Sequence, residues 1–182
     1  MDKSKEIERF LEANIQKEKK SLELSFDKTF DTQEKTLTLI VKSIEHSRFN
    51  KFEESALIWN LAGYINLVSY DFKIIVRDLT FSNKEWQKRL YSRQAYLLVY
   101  ESMDDILELF GKKLRFSIKN FKNYNILIQE LQHNIGKLNS FKSEHEQIIK
   151  SIRHNTIAHR DHDVLNQLKT ILTINWVDSF YL

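Results

Sequence analysis

The chain has 182 residues, of which 42% are hydrophobic and 29% charged, and its formal net charge is +3. It contains no cysteine, no proline and only three glycines, a composition that excludes a disulfide framework and thiolate chemistry and favours long helices. No apolar run approaches the length of a membrane span, and the first residues lack the apolar core of a signal peptide, so we expect a cytoplasmic protein.

Apolar residues spaced three and four apart predict the first two helices. One runs from Lys3 to about Phe26 and mixes apolar residues with charges, as an amphipathic helix does. Asp31 followed by Glu34 resembles a capping box, in which two side chains satisfy the first N–H groups of a helix. We therefore predict a second helix that begins at Asp31 and ends around residues 48 to 50.

The third predicted helix carries the longest apolar stripe in the chain. Asn50 with Glu53 repeats the start signal. The stripe that follows keeps the helical spacing throughout. Its members are Leu57, Leu61, Tyr64, Ile65, Val68, Phe72, Ile75 and Leu79. Because a long apolar stripe needs neighbours that cover it, we expect this helix to lie at the centre of the fold.

A clear capping box opens the fourth predicted helix. Ser82 and Glu85 have the spacing of that motif, directly before a run of apolar residues at helical spacing. The helix should reach about Phe110. If Gly111 only kinks it, the helix continues to Lys119, because a glycine inside a helix weakens it without necessarily ending it.

Two further helices are predicted before the most polar part of the chain. After a polar turn at residues 119 to 123, an apolar stripe from Ile126 to Leu138 predicts one helix, which should break near residues 139 and 140. Ser143 with Glu146 then opens the next helix. The residues expected to face the core from it are Ile148, Ile149 and Ile152.

Asp161 or Asp163 should start the last helix, because a short acidic side chain caps exposed N–H groups well. The tail from Trp176 to Leu182 is too apolar to remain in solvent, so it should dock on its own core or on a partner. Together the segments predict an all-α bundle of about six or seven helices, with no strand and a single domain over residues 1–182.

Chemically reactive side chains concentrate in the stretch SIRHNTIAHRDHD, residues 151–163. Four of the six histidines lie between His145 and His162, beside Arg153 and Arg160. Arginine presents a planar fork of donors to phosphate oxygens, and histidine exchanges a proton near neutral pH. The stretch therefore favours chemistry on a phosphate group.

Arg153, its polar neighbour His154, and His159 resemble the R-x(4-6)-H motif of the HEPN superfamily, whose members are small all-helical domains. The fuller string RHNTIAHRD is especially similar to the abortive-infection U-type branch. The resemblance implies a metal-independent endoribonuclease, often a toxin or an antiphage effector, that acts on RNA as a homodimer and needs no cofactor. It also implies that an antitoxin or another regulatory protein can be a partner.

The resemblance also implies roles for individual residues. His159 would act as general acid or base on the 2′-hydroxyl and the leaving oxygen, and Arg153 would stabilise the phosphorane charge. His154 and Asn155 would orient the substrate or the catalytic pair. Basic residues near a site attract RNA electrostatically. The candidates for that role are Lys150 and Arg160.

Helix geometry limits what one chain does with this pair. Six residues of regular helix advance about 9 Å and rotate about 600°, which leaves Arg153 and His159 roughly 120° apart around the axis. Either the helix loosens near Ala158, or the two side chains meet the substrate in a cleft that a second subunit completes. The family resemblance implies the second arrangement.

Two other interpretations of these residues stay open. Arg153 and His159 are cations that would also suit the surface of a helix end, where the helix dipole favours positive charge. Alternatively, His159, His162 and Asp163 share one helix face at metal-ligand spacing. A paired run of acidic residues at Asp161 and Asp163 equally predicts the start of the next helix.

A second function class also stays open, that of a HEPN-like module that binds nucleotide or protein without cutting. Family members paired with nucleotidyltransferase antitoxins commonly show R-x4-H-x-Y, whereas Asp161 stands at the tyrosine position here. This argues against inactivation by modification of that tyrosine. A basic run earlier in the chain is more typical of a solvated helix face than of an RNA site. It consists of Lys112, Lys113, Arg115, Lys119 and Lys122.

Overall fold

The computed structural model describes residues 3–154 and 163–181. Within these ranges the chain forms five helices of at least ten residues, one six-residue helix and two 3-10 turns, with no strand. The helices are α1 (Lys3–Phe49), α2 (Glu53–Phe81), α3 (Glu85–Leu109), α4 (Lys112–Ser117), α5 (Tyr124–Ile152) and α6 (Val164–Thr173), and the 3-10 turns are Ile118–Asn120 and Trp176–Tyr181. The predicted all-α class is confirmed, and the predicted count of about six or seven helices is slightly above the five helices of at least ten residues in the described ranges.

The first two predicted helices are one continuous helix. α1 spans 47 residues, or about 70 Å at the usual rise per residue. The predicted start at Asp31 is wrong, because that residue lies exposed in the middle of α1. Its side chain is exposed to water there. Short acidic side chains that can cap the start of a helix can therefore also occupy the solvated face of a long helix.

The predicted break near residues 139 and 140 is also wrong. α5 runs without interruption from Tyr124 to Ile152. Instead of capping a new helix, Glu146 forms an ion pair with Lys150 one turn further along. Such a pair at positions i and i+4 stabilises the interior of a helix.

α2 and α3 begin at Glu53 and Glu85, about two residues later than caps at Asn50 and Ser82 would place them, and Phe52 and Lys84 occupy the N-cap positions. Asn50 closes α1 instead of opening α2, because its side-chain amide donates to the carbonyl of His46. The Ser82 hydroxyl donates to Gln87 Oε1. α3 ends at Leu109, near the predicted position, and Gly111 is required in the turn that follows. A Cβ at Gly111 would lie 2.7 Å from the carbonyl oxygen of Glu108.

The long helices pack in a row in which α2 contacts α1, α3 and α4, and α3 contacts α5. Short turns join α1 to α2 and α2 to α3, so each pair forms an antiparallel hairpin. Between α1 and α2, Gln33 Nε2 donates to the carbonyl of Asn66 over 2.9 Å. Nearby, a Cβ at Gly63 would lie 3.1 Å from Ile40 Cγ2, so the absence of a side chain lets the two helices approach closely.

Three small clusters of buried residues form the core. Their buried members are Tyr96, Ile149, Ile152 and Ile174 in the first; Leu79, Trp176 and Val177 in the second; and Phe110, Leu114 and Ile118 in the third. The second cluster contains Trp176 and Val177 of the C-terminal tail, which confirms the prediction that this tail docks on the chain's own core, one of its two predicted alternatives. In the described ranges no helix combines the length and the apolarity needed to cross a membrane.

Candidate active site around Arg153

Arg153 is the first residue beyond the C-terminal end of α5. Its backbone N–H still donates to the carbonyls of Ile149 and Lys150, so the chain leaves α5 without a sharp turn. At Arg153 and His154 the backbone takes the wider π-helical form, which is frequent at functional positions. The motif arginine therefore extends from the end of a 29-residue helix.

Two residues of α3 hold the Arg153 guanidinium. Its Nε atom lies 2.7 Å from Glu101 Oε1, as an ion pair whose angle does not meet hydrogen-bond geometry. Its central carbon lies 5.6 Å from the centre of the Tyr100 ring, within the range of a cation–π contact. With 31% of its side chain exposed, Arg153 is both held in place and accessible to a ligand.

Two buried isoleucines fix the helix that carries Arg153. Ile149 and Ile152 are 0% and 2% exposed and pack against Tyr96 of α3. The prediction that Ile148 also faces the core is wrong, because that side chain is 43% exposed. Successive helical residues point about 100° apart, so a face centred on Ile149 and Ile152 turns Ile148 toward solvent.

Lysines near Arg153 already have carboxylate partners. Lys150, predicted to bind RNA, lies 2.6 Å from Glu146 on the same helix. Their hydrogen bond and opposite charges lower the pKa of Glu146 and raise the pKa of Lys150. Lys142 pairs with Asp104 of α3 and lies 5.5 Å from the Tyr100 ring centre. An incoming phosphate would therefore compete with protein carboxylates.

The remaining motif residues fall in the segment 155–162, outside the residues that the structure describes. These are the predicted catalytic His159, the supporting Asn155, the RNA-binding candidate Arg160, and His162 of the metal interpretation. The predicted divergence of Arg153 and His159 therefore stays a prediction. His154, the other supporting residue, has an exposed side chain.

Asp163 starts the last helix, as one of the two predicted alternatives proposed. Its Oδ1 atom accepts from the N–H groups of Leu165 over 2.9 Å and Asn166 over 3.3 Å. This contact satisfies donors that the helix leaves unpaired at its first turn. Asp163, one of the three residues in the metal interpretation, thus caps α6. Across residues 3–154 and 163–181, no three metal-binding side chains come together.

The basic run lies on other elements. Lys112, Lys113 and Arg115 belong to α4, which packs against α2. Arg115 Nε donates to the carbonyl of Phe110 over 3.2 Å, which ties it to the turn after α3. The structure therefore places the run beside the first part of α2 instead of around Arg153.

Glu101 and Tyr100 are the site residues that the sequence did not indicate. They lie more than 50 positions before Arg153, and nothing in their local pattern marks them. The signal that would have found them is the antiparallel pairing of α3 with α5. That pairing brings Asp104 to Lys142 and Glu101 to Arg153.

In this arrangement the site presents the Arg153 guanidinium in a restricted orientation. The Glu101 contact engages the Nε side of Arg153. The guanidinium carries five N–H donors in a planar fork, so its terminal nitrogens remain suited to two oxygens of one phosphate. Tyr100 lies within cation–π range of the group and restricts its movement, which reduces the entropy lost when a ligand binds.

Comparisons with known proteins returned no match to a protein-family model, to a curated protein or to a solved structure.

Proposed function

We propose that this protein is a metal-independent endoribonuclease of HEPN type that cuts RNA with Arg153 and His159. The observation that carries the proposal is the state of Arg153, held by Glu101 and Tyr100 at the end of α5 with part of its side chain exposed. A guanidinium fixed in this way, six positions before a histidine, supports a role in binding phosphate.

The proposed reaction uses the RNA's own 2′-hydroxyl as nucleophile. His159 removes the proton of this hydroxyl, the 2′-oxygen bonds to phosphorus, and the 5′-oxygen leaves with a proton from an acid at the site. Arg153 stabilises the negative charge that builds up on the phosphorane oxygens. The products carry a 2′,3′-cyclic phosphate and a 5′-hydroxyl, so every step proceeds without a metal ion.

We further propose a homodimer whose two motifs share one cleft. The apolarity of the C-terminal tail no longer supports this proposal, since Trp176 and Val177 are buried in the chain's own core. α6 supports it instead. This helix, which follows the motif segment, exposes an apolar stripe that a second copy would cover. The stripe consists of Val164, Leu165, Leu168 and Leu172.

One observation favours a second candidate, a HEPN-like module that binds nucleotide or protein without cutting. Arg153, Lys142 and Lys150 are each paired with a carboxylate, so the surface beside the motif is close to electrically neutral. A binding module needs no arginine held ready for a transition state. The ion pairs would then serve to position α5 against α3.

Cleavage of RNA tests the first candidate directly. Purified protein is incubated with mixed cellular RNA with and without EDTA, and the fragments are examined for 2′,3′-cyclic phosphate ends. We expect cleavage in EDTA that is lost in Arg153→Ala and in His159→Ala. The matched controls Arg48→Ala and His133→Ala remove exposed residues of the same types elsewhere and should cut normally.

Three outcomes would decide between the candidates. Binding of RNA by the wild-type protein without cleavage favours the binding module. Loss of activity in EDTA, with rescue by zinc or manganese, favours the metal interpretation and contradicts the mechanism above. Arrest of bacterial growth on expression, relieved by His159→Ala, would support a toxin or antiphage role.

The shared cleft is tested by mixing two inactive variants. A mixture of Arg153→Ala chains with His159→Ala chains should regain part of the activity, because some dimers then contain one intact Arg153 and one intact His159 facing the same cleft. Sedimentation equilibrium on the wild-type protein should give the mass of a dimer. A monomer that cuts RNA would contradict the proposal.

A further inference from the structure

Two adjoining cavities form a groove on the side of the molecule where α4 packs against α2. Their volumes are about 430 and 390 Å³, and both are lined by Leu57 of α2 and Lys113 of α4. One cavity extends toward Tyr64 and the end of α3, and the other toward Glu53 and Phe116. We call this surface the acidic groove.

The groove has an apolar floor. Leu57, Leu61 and Leu109 line its inner part together with Leu114, which is buried in the third core cluster. At the other end stands Phe116, whose side chain is 78% exposed. A leucine floor beside an exposed phenylalanine is apolar surface that the chain itself does not cover, and such surfaces commonly bind a partner.

Carboxylates outnumber lysines around this floor. Glu53 and Glu54 lie at one end and Asp105 and Glu108 at the other, whereas the lining lysines are Lys113 and Lys119. Within residues 3–154 and 163–181, none of the four carboxylates takes part in an ion pair. The rim therefore offers unpaired negative charge at both ends of an apolar channel.

The Tyr64 hydroxyl orients one of these carboxylates. It donates to Asp105 Oδ2 over 2.5 Å. Burial, followed by this hydrogen bond and the negative charge of Asp105, raises the pKa of Tyr64 to about 12. The hydroxyl therefore stays protonated at neutral pH, and Asp105 keeps one fixed partner while its charge remains available to a ligand.

We propose that the acidic groove binds an amphipathic, lysine- or arginine-bearing helix of a partner protein. From Glu53 to Tyr64 the groove follows twelve residues of α2, which rise about 16 Å, the length of three helical turns. A helix laid along it would place apolar residues of one face on the leucine floor and basic residues against the two acidic ends. This is the helix-in-groove mode of recognition with complementary charge.

Charge decides against RNA as the occupant. A nucleic acid would bring phosphates toward four carboxylates and only two lysines, and like charges brought together reduce affinity. An extended peptide would need an exposed strand to pair with, and the described residues include no strand. A helix satisfies its own backbone hydrogen bonds and needs only side-chain contacts from the groove.

Binding of a designed peptide tests the proposal. The probe is a fluorescent helical peptide of about 14 residues, with leucines at one face and lysines on both flanks. A second peptide replaces each lysine with glutamate. We expect fluorescence anisotropy to show saturable binding of the lysine peptide to the full chain, and binding of the glutamate peptide at least about tenfold weaker.

Variants then locate the binding. Glu54→Gln with Glu108→Gln removes one carboxylate from each end of the groove and should weaken binding of the lysine peptide by about fivefold. The control Glu130→Gln with Glu144→Gln makes the same change of net charge at exposed positions of α5 and should leave binding unchanged. Phe116→Ala, at a side chain that is mostly exposed, should also weaken binding without unfolding the protein.

Several results would overturn the proposal. Equal weakening by the groove pair and the α5 pair would show attraction by overall charge alone, and equal affinity for both peptides would remove the charge argument. Absence of binding of the lysine peptide at high concentration would also overturn the proposal. If the wild-type chain is a dimer that Phe116→Ala dissociates, the occupant is a second copy of this chain. Arg153→Ala should not change peptide binding.

Discussion

The face that carries Arg153 and the acidic groove differ in whether their charged side chains form ion pairs. On the Arg153 face, made by α3 and α5, three of the described cations each lie beside a carboxylate: Arg153 by Glu101, Lys142 by Asp104, and Lys150 by Glu146. In the acidic groove the carboxylates have no cationic partner among the described residues. A count of charged residues along the sequence does not reveal this difference.

The contrast shows that a cation in the sequence need not add positive charge to the surface, because a carboxylate from the same or another helix can lie beside it. A phosphate that approaches Arg153 has to displace or share the contact with Glu101, which reduces its net gain. A cation that approaches the groove meets four carboxylates that form no ion pair among the described residues, against two lining lysines, Lys113 and Lys119. If the Arg153 face acts on RNA, its affinity for RNA should be modest, and its specificity should come from positioning rather than from attraction.

Removal of the packing beneath the Arg153 face should have the largest effect. Ile149→Ala leaves a cavity at a fully buried position and should lower the free energy of unfolding by about 3 kcal/mol. Ile148→Ala, one residue earlier but 43% exposed, should cost less than about 1 kcal/mol. Urea denaturation of both variants measures the difference, and similar values would contradict the described orientation of α5.

High pH should destabilise the same packing layer by a smaller amount. Burial, and then the negative charge of Asp178, raises the pKa of Tyr96 to about 12. Below pH 10 both the folded and the unfolded chain keep this proton. As the pH rises from about 10 to 12, only the unfolded chain loses it, so the free energy of unfolding falls, by on the order of 2 kcal/mol.

The variant Tyr96→Phe isolates this effect. It removes the titrating hydroxyl, so the loss of stability between about pH 10 and pH 12 should be smaller than in the wild type. Urea midpoints at several pH values provide the measurement. The corresponding variant at the groove, Tyr64→Phe, serves as comparison, since that residue has its pKa raised as well but lies nearer the surface. An unchanged alkaline loss in Tyr96→Phe would assign it to other groups.

The helical class could be predicted because it depends on patterns that are local. Apolar spacing and the absence of proline predict helices without any knowledge of tertiary contacts. Helix boundaries were less predictable. The pairs Asp31 with Glu34 and Ser143 with Glu146 have the spacing of capping boxes, yet both lie inside long helices. Because water can satisfy a polar side chain on the exposed face of a helix, the same residue spacing also occurs where no helix begins.

The site was predictable only in part, for a related reason. The sequence identifies Arg153 through the residues around it. It does not identify Glu101 or Tyr100, because their contact with Arg153 depends on the register between two helices far apart in the chain. His159 lies outside the described residues, so its predicted role stays a prediction.

The two glycines associated with these regions should respond oppositely to alanine. Gly111 forms the turn at the end of the acidic groove, and a Cβ there would lie 2.7 Å from the backbone oxygen of Glu108. Gly111→Ala should therefore destabilise the protein by about 1 to 2 kcal/mol. Gly136 of α5 has open space around it, and Gly136→Ala should stabilise the protein by up to about 1 kcal/mol. Thermal unfolding of each variant checks both signs.

The smallest expected effect bears most directly on the comparison, and it depends on the proposed ribonuclease. In a His159→Ala background, which should prevent turnover, Glu101→Gln removes the carboxylate that competes with phosphate for Arg153. An exposed ion pair contributes at most about 1 kcal/mol, so affinity for single-stranded RNA should rise by up to about fivefold. Glu108→Gln makes the same change of charge in the acidic groove and should leave RNA affinity nearly unchanged. Fluorescence anisotropy with a labelled oligonucleotide at low salt measures both.

If the two variants bind RNA equally well, the ion pair does not control access to Arg153, and only overall charge acts on the RNA. If Glu101→Gln weakens binding, the positioning of Arg153 by Glu101 outweighs the competition between Glu101 and the phosphate.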